Sequence, residues 1–119
     1  MTLADYIAAN LSKPFEWGRL DCVLFARDWV RHATGIDHLA GYPAWHNEKE
    51  ARRLMRKLGG LEALLDKHFD RIIPHLAPDG AIALHDGCLC LFSGAHIVGP
   101  GPEGLTFIDR TRAACAWHY

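Results

Sequence analysis

Cys22 carries the clearest chemical signal in this sequence. In EWGRLDCVLFARDWV, residues 16–30, it follows Asp21 and opens an apolar stripe at helical spacing formed by Cys22, Phe25, Ala26, Trp29, Val30 and Ala33. A helix start presents unpaired backbone N–H groups and the positive end of the peptide dipole, and both favour an anion. A cysteine placed there is expected to be an accessible thiol of lowered pKa, and the same N–H groups can receive a developing oxyanion. Asp21 reads as the cap that fixes this turn, supporting the cysteine and not acting as an acid itself. The competing reading is a plain core sulfur, because Cys22 lies on the apolar stripe of its own helix.

A second group of chemistry-bearing residues is the H-x2-C-x-C-x5-H string of His85, Cys88, Cys90 and His96. Sulfur and imidazole suit zinc, but structural zinc sites space their cysteines on turns. On a strand Cys88 and Cys90 point to one face and Leu89 and Leu91 to the other, which predicts sulfurs lining a core and no metal. GPGPEG, residues 99–104 with Val98 before it, lacks both the dinucleotide-binding glycine pattern and a P-loop lysine, and reads as a turn between strands. No cofactor is expected. Trp17 and Trp45 fall in loops, where they either anchor the chain or line a groove.

These residues need elements to hold them. Thr2 can cap a helix that aligns Leu3, Ile7 and Leu11, and Pro14 and Gly18 mark a loop before the helix that Asp21 opens and Gly35 stops. Asn47 can cap EKEARRLMRKL, the Gly59-Gly60 pair ends it, and LEALLDKHF is a further short helix. After Pro78-Asp79-Gly80 the pattern changes to short β-favouring segments: AIALH, CLCLFSG, AHIVG, GLTFID and ACAWHY. Helices followed by strands predict an α+β domain, with N-terminal helices packed on a C-terminal antiparallel sheet. The 119 residues fit a single domain, residues 1–119.

Charge narrows the function classes. A formal net charge of −1 leaves no electrostatic footprint for nucleic acid, and no apolar run approaches a membrane span. The N-terminus has an acidic residue and no leading basic cluster, so it does not read as a signal peptide. Four cysteines in this length are too sparse for a disulfide scaffold, and reduced thiols and synthesis in a cytoplasm are expected.

PFEWGRLDCVLFARDWV resembles the nucleophile segment of NlpC-type cysteine peptidases, a papain-like family that cleaves peptide bonds in bacterial peptidoglycan. The chain is most similar to a group of uncharacterised domains encoded among phage and prophage tail genes. That likeness lies in the order of Trp-Gly-x-x-Asp-Cys, TGID at 34–37, GGL at 59–61, a DGAIAL-like strand, a GPGPEGL-like turn and a terminal Ala-Trp. It implies a papain-like NlpC-type fold with Cys22 at the nucleophile position. It also places the family's catalytic histidine at Cys88 and its third polar residue near Val98, so this chain departs from the pattern at both. His85, three residues before the histidine position, becomes the candidate base, with His96 second.

The reading implied is a tail-tip or tail-assembly domain, structural, with degenerate or weak catalysis. Its partners would be other phage tail proteins at the tip or hub, and it would reside in the virion tail. The alternative is an active cysteine peptidase or amidase that opens peptidoglycan stem peptides during wall penetration, with Cys22 attacking and His85 shuttling the proton.

Overall fold

The computed structural model describes residues 1–119 and has α+β architecture, with four α-helices followed by a six-stranded sheet. The helices are α1 (Leu3–Asn10), α2 (Cys22–Thr34), α3 (Glu48–Leu58) and α4 (Leu61–His68). The strands are β1 (Asp70–Ile72), β2 (Ile82–His85), β3 (Cys88–Ser93), β4 (His96–Gly101), β5 (Gly104–Asp109) and β6 (Cys115–His118). Every pairing is antiparallel and the spatial order is β1-β6-β2-β3-β4-β5. No helix is long and apolar enough to cross a membrane.

Local signals set the helix limits. The Thr2 hydroxyl accepts from the Asp5 N–H while the Asp5 carboxylate accepts from the Thr2 N–H, a reciprocal capping box that starts α1. Asn47 accepts from the Glu50 N–H to start α3. Gly35 and Gly59, both left-handed with φ of 77° and 86°, end α2 and α3. β1 was not anticipated from the sequence: its three residues are mostly exposed and gain strand character by pairing with β6.

α2 is the element that organises the interior. Its Phe25, Ala26, Trp29 and Val30 pack with Ile82, Leu84, Leu89, Leu91 and Trp117 from one face of the sheet. The other face carries Ala83, Cys90, Phe92, Ile97 and Ala116, closed over by Ala77 and Ala81. Both faces of β2 and β3 are therefore buried, which explains their continuous apolar reading. Polar ties lock α2 in place: the Tyr6 hydroxyl donates to the Phe25 carbonyl at 2.7 Å. Trp29 Nε1 donates to the Tyr119 hydroxyl at 2.7 Å, which in turn donates to the Gly80 carbonyl at 2.9 Å.

Candidate functional site

The loop before α2 shows what the Trp-Gly-x-x-Asp-Cys spacing does physically. Glu16 and Leu20 exchange backbone hydrogen bonds at 3.1 and 2.8 Å, closing a tight turn around Gly18. Gly18 has φ of 80°, and a β-carbon there would lie 2.6 Å from the Trp45 carbonyl oxygen. Only glycine satisfies both the left-handed backbone and that close approach. Asp21 is the hub. It is 1% exposed, its Oδ1 accepts from the Leu24 N–H at 3.0 Å, and its Oδ2 accepts from the Gly18 N–H at 3.0 Å and Trp45 Nε1 at 2.6 Å. Trp45 itself is buried, and its role as the indole that anchors the Asp21 carboxylate had no signal in the sequence.

With that loop fixed, Cys22 sits in the first turn of α2 and lines a cleft of about 910 Å³. Phe15, Trp17 and Trp45 form one wall; Met55 and Arg56 of α3 and the turn of Asp86 and Gly87 form others. Trp17 stacks edge-on against Phe15 with ring centres 4.8 Å apart. The two loop tryptophans thus both anchor the chain and face the cleft.

The nearest reactive partner of Cys22 is Cys88. Both line the same cleft, and each side chain is the largest influence on the acidity of the other. Cys88 is the first residue after a tight turn in which Asp86 and Gly87 both have positive φ, 49° and 73°, and it is exposed. Cys90 lies apart, buried beside Phe92 and Ile97 on the other side of the sheet. Strand alternation holds in the register, but the two β3 cysteines do not line one core: only Cys90 is buried, whereas Cys88, at the end of the ladder, is exposed and opens on the cleft.

The thiols divide their acidity unequally. Hydrogen bonding to Cys88 and burial both raise Cys22, the Leu89 N–H opposes them, and the Asp21 carboxylate adds to the rise. The same hydrogen bond draws Cys88 down to about 6, with burial opposing, the neighbouring His85 helping and Asp86 resisting. The expected accessible, low-pKa thiol is therefore not Cys22, which is only 8% exposed. Its helix-start amides are outweighed by desolvation and by a thiol neighbour on which negative charge is better hydrated.

The candidate bases lie elsewhere. His85 is directly opposite Cys88 in the β2–β3 ladder; its Nδ1 lies 3.2 Å from the Arg112 carbonyl oxygen and its Nε2 3.7 Å from Asp86 Oδ2. Neither nitrogen is bonded to Cys22. His96 pairs with Ser93 at the far end of β3, a strand run of roughly 17 Å from Cys88. None of the residues lining the cleft is a histidine. Val98, at the third polar position the resemblance implied, is fully buried. No three histidine, cysteine or carboxylate side chains converge in a way that could hold a metal ion.

A family model described as a domain of unknown function, DUF6950, matches residues 1–119, and the chain therefore belongs to that family. No curated protein and no solved structure matches it.

Proposed function

We propose that this member of the DUF6950 family is a structural phage or prophage tail-associated domain on a papain-like NlpC-type scaffold, with degenerate catalysis at the Cys22 position. The observation that carries the loss of catalysis is the partner of Cys22. A cysteine peptidase needs a base to take the thiol proton and return it to the leaving amine. Here the Cys22 thiol meets a second thiol, its pKa is raised, and no imidazole lines the cleft. The resemblance in motif order supports the scaffold and the tail association, and its register sets Cys88 opposite the nucleophile, where the two thiols meet.

The hydrolytic alternative is favoured by one specific feature, the position of Cys22 on the wall of a cleft of about 910 Å³. It would require His85 to leave the Arg112 carbonyl and swing to Cys22, or a neighbouring tail protein to supply the base. A cell-wall assay separates the readings. Purified peptidoglycan incubated with the wild type should release no more soluble fragments than with Cys22→Ala. Release by the wild type that the variant abolishes would establish the peptidase. The tail assignment is tested by peptide mass spectrometry of purified virions, in which the chain should be present at a fixed ratio to the tail proteins; its absence from virions would refute it.

A further inference from the structure

Cys22 and Cys88 lie far apart in sequence, yet both line one cleft, Cys88 exposed and Cys22 buried, and each is the largest influence on the acidity of the other. The remaining cysteines do not line this cleft. Cys90 is packed among apolar side chains, and the Cys115 sulfur lies between Arg71 at 3.4 Å and Glu62 at 3.6 Å. A pair so arranged has the parts of a dithiol exchange site: an outer thiolate to attack and an inner thiol to resolve.

We propose that Cys22 and Cys88 form a redox-active dithiol that reacts with low-molecular-weight disulfides and closes into a Cys22–Cys88 cross-link at the cleft. In the first step the Cys88 thiolate attacks one sulfur of the small disulfide. That S–S bond breaks, and the departing thiolate takes up a proton to leave as a thiol. Cys88 is now joined to the second half as a mixed disulfide. Cys22 then gives up its proton to solvent and attacks the Cys88 sulfur. The mixed bond breaks, and the second half leaves and is protonated. The two protein thiols are oxidised by two electrons and one small disulfide is reduced to two thiols.

The structure favours this order of attack. Cys88 is the exposed member and stands beside His85, whereas Cys22 is 8% exposed and cannot meet a bulky disulfide first. The ionisable groups around the pair are Asp21 beside Cys22, His85 and Asp86 beside Cys88, and Arg52 and Arg56 of α3 on the wall of the same cleft. Closure requires the two sulfurs to approach to ~2.05 Å. The movement falls on the turn that carries Cys88, where Asp86 is exposed and nothing lies within 4 Å of a β-carbon built on Gly87. The cross-link consumes the only thiol at the helix start, so an oxidised chain would have no nucleophile at Cys22 whatever its role in the tail.

The test uses the reduced full chain incubated at neutral pH with excess glutathione disulfide, quenched with acid and mapped by mass spectrometry. The expected product has lost two hydrogen masses, yields a Cys22–Cys88 linked peptide, and has released two glutathione thiols per chain. Cys22→Ser, with Cys22→Ala as a second variant, should stop at a glutathione adduct on Cys88. Cys88→Ser should consume glutathione disulfide at Cys22 roughly tenfold or more slowly than the wild type does at Cys88, since its remaining thiol is buried. A wild-type chain that accumulates an unresolved adduct on Cys88, links Cys88 to Cys115, or leaves both thiols free would overturn the proposal. These outcomes do not depend on whether the chain resides in a tail.

Discussion

Replacing Asp21 by alanine is expected to be among the most damaging single changes in the molecule. Its carboxylate is 1% exposed and accepts three hydrogen bonds, from Gly18, Leu24 and Trp45, at 3.0, 3.0 and 2.6 Å. Alanine leaves three N–H donors without an acceptor, and each orphaned buried donor costs about 1–3 kcal/mol. Relief from burying a carboxylate offsets part of this. The net expectation is about 4 kcal/mol, a large fraction of the stability of an ordinary domain. Asp21→Asn keeps one acceptor oxygen but turns an NH2 group toward at least one of the same donors, so about 2 kcal/mol is expected. Urea unfolding followed in parallel by tryptophan fluorescence and far-UV circular dichroism gives both numbers, provided the transitions coincide and the slope is unchanged. Fraying of the α2 start should also speed alkylation of Cys22 in the alanine variant. A cost below about 1 kcal/mol for Asp21→Ala, or an asparagine variant as stable as the wild type, would refute the idea that both carboxylate oxygens hold this loop.

Gly18→Ala should cost about 3 kcal/mol, because a left-handed alanine there also meets the Trp45 carbonyl at 2.6 Å. Gly35→Ala has a similar φ of 77° with open space around it and should cost only about 1 kcal/mol, so urea midpoints of the two variants separate backbone strain from close approach. Closing the Cys22–Cys88 cross-link should stabilise the chain by about 4 kcal/mol through the long loop it ties off, read as the difference between oxidised and reduced unfolding curves.

Much of the scaffold was legible because it rests on local chemistry. Asp21 and Gly35 bracket α2, Thr2 starts α1, and Asn47 and Gly59 bracket α3, each through bonds made within a few residues. The five later strands were marked by glycine, proline and aspartate between apolar segments. β1 escaped because nothing in Asp70-Arg71-Ile72 alternates or is buried enough to signal a strand; the edge of β6 supplies its partner.

The candidate site was legible only in part. The helix-start position of Cys22 follows from its neighbours, but its acidity does not, since burial and the Cys88 thiol come from chain far away in sequence. The spacing of His85, Cys88, Cys90 and His96 pointed to strands and not to which residue would face α2. Strand register decides that, and the resemblance alone supplied a register with Cys88 opposite Cys22. Trp45 as the partner of Asp21 was invisible for the same reason: a loop tryptophan carries no mark of the carboxylate it will meet.

The most direct measurement is the pH dependence of alkylation at each cysteine, resolved by peptide mass spectrometry on the folded chain. The Cys22–Cys88 pairing predicts that Cys88 reacts first, with a midpoint below the ~8.5 of a free cysteine, while Cys22 stays protected to higher pH. Because hydrogen bonding to Cys22 is the largest influence lowering Cys88, the Cys88 midpoint should rise in Cys22→Ala. Rapid low-pH alkylation of Cys22, with a midpoint that moves when His85 is replaced by alanine, would contradict it and reveal a cysteine–histidine pair instead.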